Sequence, residues 1–295
     1  MDLIEIIKVI LLGIIEGITE WLPVSSTGHI LLFDAVIPLH ISTDPTRAQA
    51  FMETFKVIIQ LGAILAIVVM FWKKLFPFHL KKEKLESGIK TKIGVHTSIF
   101  QTWIKILIAC IPAAVVGLVA DDFLEAHLQT PLVISLTLIV YGVAFIVIEN
   151  KKKNTVFPVQ EAEAITYKQA LFLGLFQLLA LIPGTSRSGA TIIGALLLGI
   201  SRPAGTEFTF ILAIPVMVGA SGLKVVKFLL DYGWFTAAEF GYILIAMATA
   251  FLVSMLAVKF LSEFSRKHDF KVFGWYRIAL GFIVICALVL PSMLA

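Results

Sequence analysis

Two acidic residues, two serines and a histidine lie close together in one otherwise apolar stretch near the start of the chain. Glu16 and Glu20 are four residues apart, so on a helix their carboxylates share a face. Two such carboxylates repel each other unless one is protonated or a cation lies between them. Ser26 could act as a nucleophile, and His29 is the type of side chain best suited to proton transfer near neutral pH. The stretch therefore predicts a catalytic or metal-binding site.

A second polar stretch repeats this pattern later in the chain. In both copies an apolar run reaches a proline, Pro23 or Pro183, and then a group of hydroxyl residues. Hydroxyl residues after a proline favour helix N-caps, so we expect helices to begin near Ser25 and Thr185. The positive ends of two converging helices would bind an oxyanion-rich ligand such as phosphate. Its expected binding residues are Ser25, Thr27, Thr185, Ser186, Arg187 and Ser188.

Each of these residues also has a simpler interpretation. Paired glutamates usually lie on a solvated helix face, a serine after proline is often only a cap, and a single buried histidine is usually structural. Arg187 is the hardest to explain in this way, because an unpaired arginine at membrane depth costs about 3 kcal/mol. A divalent cation between Glu16 and Glu20 and base catalysis by one of them both remain open. Ser26, His29 and water all remain candidate nucleophiles.

Composition places this polar cluster in a membrane protein. The 295 residues are 59% hydrophobic and only 15% charged, whereas soluble domains carry about 25% charged residues. Six apolar runs are long enough to cross a bilayer: 51–72, 99–120, 131–148, 207–230, 239–260 and 272–292. The net charge of +4 lies in the loops, which argues against nucleic-acid binding. We therefore predict an all-α integral membrane protein with six transmembrane helices.

The two polar stretches, 3–34 and 168–200, are interrupted by Pro and Gly and are expected to form re-entrant helical hairpins. Basic residues mark cytoplasmic loops, here 73–92 and 150–166, and acidic turns containing Asp121, Asp122, Glu125, Asp231 and Glu239 alternate with them. Each half then consists of one hairpin followed by three spans. Because three is an odd number, the two halves have opposite orientations in the membrane. We predict an inverted repeat of residues 1–148 and 168–295, joined by a cytoplasmic linker, 149–167. Arg202, near the inner surface, is expected to extend to the interface.

The segments Glu16-Gly-Ile-Thr-Glu20-Trp-Leu-Pro-Val-Ser-Ser-Thr-Gly-His29 and Pro183-Gly-Thr-Ser-Arg-Ser-Gly189 resemble the two signature segments of the undecaprenyl-pyrophosphate phosphatase family, the bacitracin-resistance type. The resemblance extends over essentially the whole chain. It implies a multi-pass enzyme of the bacterial plasma membrane that removes the terminal phosphate of undecaprenyl pyrophosphate and so recycles the lipid carrier of cell-wall synthesis. It also implies a divalent cation, Mg²⁺ or Ca²⁺, an active site facing the outer side, and a homodimer.

Carried over by position in these segments, Glu16 and Glu20 would bind the metal or act as base. Ser26 and His29 would supply nucleophilic attack and proton transfer, and Thr185, Ser186 and Arg187 would bind the diphosphate. A competing interpretation comes from the architecture, since inverted repeats with broken helices are typical of transporters. A lipid flippase or anion carrier would need the arginine and the helix ends, but not the Glu/Ser/His cluster.

Overall fold

The computed structural model describes residues 2–41, 44–85 and 88–294. The helices of the first half are α1 (Leu3–Thr19), α2 (Ser26–Val36), α3 (Pro45–Met70), α4 (Trp72–Leu75), α5 (Thr97–Leu128) and α6 (Pro131–Lys151). Those of the second half are α7 (Tyr167–Leu178), α8 (Arg187–Leu197), α9 (Arg202–Tyr232), α10 (Ala237–Lys267), α11 (Lys271–Val284) and α12 (Leu290–Leu294). Short 3₁₀ turns lie at Ala162–Ala164 and Leu179–Leu181, and a π-helical turn, Ile285–Val289, joins the last two helices.

Within the described residues, six helical segments are long and apolar enough to cross a bilayer, which confirms the predicted number. They lie in α3, α5, α6, α9 and α10, and over Lys271–Met293. Several extend beyond the predicted apolar runs because polar caps, rather than the last apolar residue, fix their ends. At the start of α9, the hydroxyl of Ser201 accepts a hydrogen bond from the backbone amide of Ala204. At its other end, Gly233 adopts a φ of 74° and ends the helix. The chain is a multi-pass helical membrane protein.

The longer helices correct the predicted acidic turns. α5 continues to Leu128, so Asp121, Asp122 and Glu125 belong to a helix, and their side chains lie outside the described part of the structure. Asp231 lies in the last turn of α9, and Glu239 lies in the first turn of α10. The acidic side of the bundle is therefore formed by helix ends rather than by the turns between helices.

The all-α prediction is wrong for the connection after α4. Strands β1 (Phe78–Leu85) and β2 (Gly88–Val95) pair antiparallel, with Phe78 opposite Val95 and Leu85 opposite Gly88. The second strand carries β-branched residues at every other position, Ile89, Thr91, Ile93 and Val95, a pattern that suits a strand. Lysines of the predicted basic loop lie on these strands, and Glu86 falls outside the described residues.

Both polar stretches are interrupted, as predicted. α2 and α8 contain 11 residues each, about 16 Å of helix, so neither could cross a hydrocarbon core of about 30 Å alone. α1 packs against α10 and α7 against α5, while α3 packs against α9 and α6 against α11. Trp21 and Val24 in the first turn are buried in one apolar cluster with Ile192 and Ile193 of α8. The two turns therefore meet inside the bundle.

Arg202 has a charged partner within the protein. Its guanidinium forms an ion pair with Glu149, whose side chain is fully buried in α6. Glu149 also accepts a hydrogen bond from the amide of Phe270. A buried carboxylate needs such compensation, because an isolated charge in an apolar interior is strongly unfavourable. The pair connects the start of α9 to the end of α6 and, through Phe270, to the start of α11.

Candidate active site

The two polar turns have nearly the same backbone geometry. Ser25 caps α2 at φ 72° and ψ 103°, and Ser186 caps α8 at φ 70° and ψ 121°. Each serine hydroxyl accepts a hydrogen bond from a backbone amide in the following helical turn. The amide of Gly28 donates to Ser25 at 3.4 Å, and that of Gly189 donates to Ser186 at 3.2 Å. A positive φ at a residue other than glycine costs about 1–3 kcal/mol and is concentrated at functional sites. The predicted helix starts are therefore correct to within about a residue, with Ser186 rather than Thr185 as the second cap.

Glu20 is the point at which the two turns make direct contact. Nη2 of Arg187 donates to Oε1 of Glu20 at 3.1 Å, and the hydroxyl of Ser26 donates to Oε2, also at 3.1 Å. The Glu20 side chain is 7% exposed and that of Arg187 is 9% exposed. A carboxylate, a guanidinium and a primary hydroxyl thus share one largely buried space, as the sequence predicted.

Further bonds fix Arg187 and join the two turns. Its Nη1 donates to the carbonyl oxygen of Thr209 in α9 at 2.9 Å, and its guanidinium carbon lies 5.9 Å from the centre of the Trp21 ring. The hydroxyl of Ser188 lies 3.3 Å from the backbone oxygen of Glu20 and 3.1 Å from the hydroxyl of Ser186. The second turn is therefore bound to the first through backbone atoms as well as through the ion pair.

Arg277, which the sequence analysis missed, binds both turns from α11. It is fully buried, and its Nη2 donates to the carbonyl oxygens of Gly184 and Thr185 at 2.9 Å. Its Nη1 donates to the carbonyl oxygen of Pro23 at 3.3 Å. Carbonyls in a sharp turn lack helical partners, and a buried one needs a donor. An arginine inside the apolar run 272–292 was the signal that could have identified this residue.

His29 lies on α2 but bonds away from Ser26. Its Nδ1 is 2.7 Å from the carbonyl oxygen of Ser25, and its Nε2 is 2.7 Å from the hydroxyl of Tyr276, another residue that sequence reasoning missed. A carbonyl oxygen only accepts, so Nδ1 carries a proton, and in the neutral ring Nε2 accepts from the tyrosine. The two rings are also stacked, 9° from parallel. Neither of these two hydrogen bonds brings His29 to Ser26.

Glu16 is fully buried one turn before Glu20, and neither of its carboxylate oxygens has a hydrogen-bond partner among the described residues. A buried carboxylate without a partner is strongly unfavourable unless it is protonated or compensated by a cation. The described part of the chain holds no cluster of three or more His, Cys, Asp or Glu side chains suited to a metal. Mg²⁺, however, is often held by one or two carboxylates together with substrate phosphates. Glu16 and Glu20 fit that kind of site.

A cavity of about 300 Å³ opens beside the two turns. Ser26, Thr27 and Pro183 line its inner end, whereas Asp34 and Lys56, which form an ion pair, line it further along α2 and α3. Thr27 lines this cavity, and its predicted role in substrate binding stays a prediction. Thr185 is buried, and its carbonyl rather than its side chain carries the contact with Arg277. The arrangement could hold an anion beside a hydroxyl and a carboxylate.

The family profile of the Bacitracin resistance protein BacA matches residues 9–283. The chain belongs to this family. That match includes both turns and Arg277, so the whole of the site described above lies within it.

Individual relatives named undecaprenyl-diphosphatase agree with this placement. One from Enterococcus faecalis is 56% identical over 285 residues, which cover 97% of this chain and 98% of the relative. One from Desulfitobacterium hafniense is 51% identical over 286 residues, covering 97% and 96%. One from Streptococcus thermophilus is 46% identical over 283 residues, covering 96% and 93%.

Proposed function

We propose that the chain is an undecaprenyl-diphosphatase: it hydrolyses undecaprenyl pyrophosphate and related prenyl diphosphates to the monophosphate and inorganic phosphate. The observation that carries this proposal is the position of Glu20, bonded to both Ser26 and Arg187 where the two polar turns meet. The names of the full-length relatives support it. These names favour a hydrolytic enzyme over the alternative interpretation, a lipid flippase or anion carrier.

In this proposal Ser26 attacks the terminal phosphorus while Glu20 accepts the hydroxyl proton. The bond between that phosphorus and the bridging oxygen breaks, the prenyl monophosphate leaves, and water then hydrolyses the phosphoserine. Arg187 and the amides at the starts of α2 and α8 stabilise the charge on the phosphoryl oxygens. His29, bonded to Ser25 and Tyr276, has a positioning or proton-transfer role beside α2 rather than contact with the Ser26 hydroxyl.

The Arg187–Glu20 ion pair has a consequence for substrate binding. A diphosphate competes with Glu20 for the guanidinium, since arginine binds phosphate through the same donors that it offers a carboxylate. When Arg187 turns to the phosphate, its hydrogen bond to Oε1 of Glu20 is released, while Oε2 still faces the hydroxyl of Ser26 and can accept its proton. Binding of the substrate and activation of the nucleophile are thus coupled through one side chain.

Glu16 and Glu20 would hold the divalent cation, Mg²⁺ or Ca²⁺, and the diphosphate oxygens would complete its coordination. The cation supplies neutralisation of negative charge between the carboxylates and the phosphate. Support comes from the buried carboxylate of Glu16, which has no hydrogen bond within the described residues. Thr185, Ser186 and Ser188 line the second turn, where they and Ser25 and Thr27 would orient the diphosphate.

We further propose that α1–α2 and α7–α8 are re-entrant hairpins of an inverted repeat, 1–148 and 168–295. The matching conformations of Ser25 and Ser186 support it. So do two equivalent close approaches: a Cβ on Gly13 of α1 would lie 2.8 Å from the carbonyl oxygen of Ala246 in α10, and a Cβ on Gly174 of α7 would lie 2.4 Å from that of Ala109 in α5.

The proposed location is the bacterial inner membrane, with the site open to the outer side. The basic residues of 73–92 and 150–166 support that orientation under the positive-inside rule. The homodimer that the resemblance implies stays a prediction, and the mass of the purified protein in detergent would check it.

The decisive experiment is phosphate release from a prenyl diphosphate by purified protein in detergent micelles, where no transport is possible. We expect release by the wild type and a loss of at least about 10²-fold in Glu20→Gln and Arg187→Ala, the range for loss of a general base or of charge stabilisation. Glu263→Gln, which changes an exposed glutamate of α10, is the matched control and should retain activity. Full activity in either site variant contradicts the proposed site. No release by the wild type, with transport in vesicles, would indicate a carrier instead.

A further inference from the structure

A second and larger cavity lies at the other end of the helix bundle. Its volume is about 780 Å³, and it is formed where the end of α3, the start of α9 and the end of α10 meet. Gln60 of α3 lines the cavity beside the polar turns, whereas Val69 lines this one. At 1.5 Å per residue, the two cavities are separated by about 14 Å along α3. The second cavity is therefore distinct from the proposed active site.

The charged residues around this cavity favour an anion. Lys73, Lys74 and Arg266 line it together with Glu161 and Glu207. Lys74 and Glu207 form an ion pair at 2.6 Å. Outside that pair, two positively charged residues, Lys73 and Arg266, and one negatively charged residue, Glu161, line the cavity. Pro203 and Ala204, in the first turn of α9, also line the cavity, and the positive end of that helix dipole adds to the same preference.

A buried hydroxyl gives an independent indication of a ligand. Thr206 lines the cavity, is 1% exposed, and its Oγ1 has no hydrogen-bond partner among the described residues. A threonine inside a helix usually bonds the carbonyl one turn earlier. Six others among the described residues do so: Thr19, Thr54, Thr102, Thr137, Thr191 and Thr249. An unsatisfied buried hydroxyl is unfavourable, and a bound oxyanion would offset that cost by accepting its hydrogen bond.

One wall of the cavity is apolar and turned outward. Val69 is 55% exposed and Trp72 is 52% exposed, although both line the cavity. In a membrane protein such side chains contact lipid, so a ligand with an anionic head in the cavity could place a hydrocarbon chain against this wall.

We propose that this cavity is a second phosphate-binding site. Lys73 and Arg266 bind the phosphate oxygens, the hydroxyl of Thr206 donates to one of them, and the phosphate is carried on a lipid chain that lies along Val69 and Trp72. The site takes a phosphomonoester whatever reaction occurs at the polar turns.

The test measures how many molecules of radiolabelled farnesyl phosphate bind to the full chain in detergent. We expect two per wild-type chain and one in the double variant Lys73→Ala with Arg266→Ala. Lys267→Ala, which removes the neighbouring charge that does not line the cavity, should still bind two. Thr206→Val keeps the shape of the side chain and should weaken the same class of sites at least about fivefold. Retained phosphate release shows that the variants are folded.

An unchanged number of bound molecules in the double variant overturns the inference, as does competition by farnesol as strong as that by farnesyl phosphate, since farnesol has no phosphate. Competition by inorganic phosphate at equal concentration identifies free phosphate as a sufficient ligand, whereas competition by farnesyl phosphate alone identifies a lipid. A fall from two to one in a protein that releases no phosphate from diphosphates leaves this inference standing and removes the proposed enzyme function.

Discussion

Gly142 of α6 and Gly274 of α11 lie face to face, and a Cβ built on either would be 2.7 Å from the backbone oxygen of the other. Real Cβ atoms do not approach backbone oxygen so closely, so both positions require glycine. The contact brings α11 against α6 less than one turn before Arg277, the residue that binds both polar turns. The close approach of these two helices therefore positions the arginine.

Gly274→Ala should destabilise the protein by about 1–3 kcal/mol, because the added methyl group forces the two backbones apart. Thermal unfolding in detergent measures the change. Gly219→Ala in α9 is the matched control, since a Cβ there meets nothing within 4 Å. It should be neutral or stabilising by up to about 1 kcal/mol. Equal stability of the two variants would show that the close approach is not required.

Arg277→Met should lower the stability by at least about 3 kcal/mol. It removes the charged donor of three carbonyls, and hydrogen bonds to charged groups contribute about 1.5–3 kcal/mol each. Unfolding by heat or denaturant checks the loss. Lys271→Met, at the partly buried start of the same helix, controls for removal of a positive charge. A stable Arg277→Met variant with full activity would contradict the role given to this arginine.

Tyr276→Phe tests how His29 is held. The substitution removes only the hydroxyl that bonds to Nε2 of His29 and leaves the stacked ring in place. We expect kcat to fall about 3- to 30-fold with KM nearly unchanged, because losing one hydrogen bond of about 1–2 kcal/mol disturbs orientation rather than substrate affinity. A larger loss in His29→Ala than in Tyr276→Phe would place the histidine in the chemistry. If neither variant changes kcat, His29 is structural.

Removal of divalent cations should abolish phosphate release, and Mg²⁺ or Ca²⁺ should restore it. Glu16→Gln is expected to raise the cation concentration for half-maximal activity at least about tenfold, because the amide lacks the negative charge of the ligand. Glu263→Gln, at an exposed position of α10, is the control. Full activity in excess chelator would contradict the cation proposal. An unchanged cation requirement in Glu16→Gln would show that residues other than Glu16 bind the cation.

The sequence predicted the number of membrane helices and the two helix starts because both follow from local signals. A hydrophobic run reveals a span, and a proline followed by hydroxyl residues reveals a helix start. These signals placed the starts near Ser25 and Thr185 without any tertiary information, and the second cap lies one residue later, at Ser186. Bilayer physics then required Arg187 to have a partner at that depth.

The remaining contacts depend on packing across the chain. Arg277 and Tyr276 reach the polar turns only because α11 lies against α6 and α2, and no pattern within 272–292 specifies those neighbours. The carboxylate that pairs with Arg202 comes from Glu149, on a helix distant in sequence. His29 looked like a partner of Ser26 by spacing alone, but the tyrosine of another helix holds its ring.

The buried guanidinium on α11 also has a consequence for biosynthesis. Both polar turns are translated long before Arg277. During membrane insertion, the carbonyl oxygens of Pro23, Gly184 and Thr185 therefore lack the hydrogen bonds from Arg277 until α11 has been synthesised. The hydrolytic apparatus is thereby completed last. Nascent chains that stall before α11 would have open turns that quality-control proteases could recognise, rather than an active enzyme fragment in the membrane.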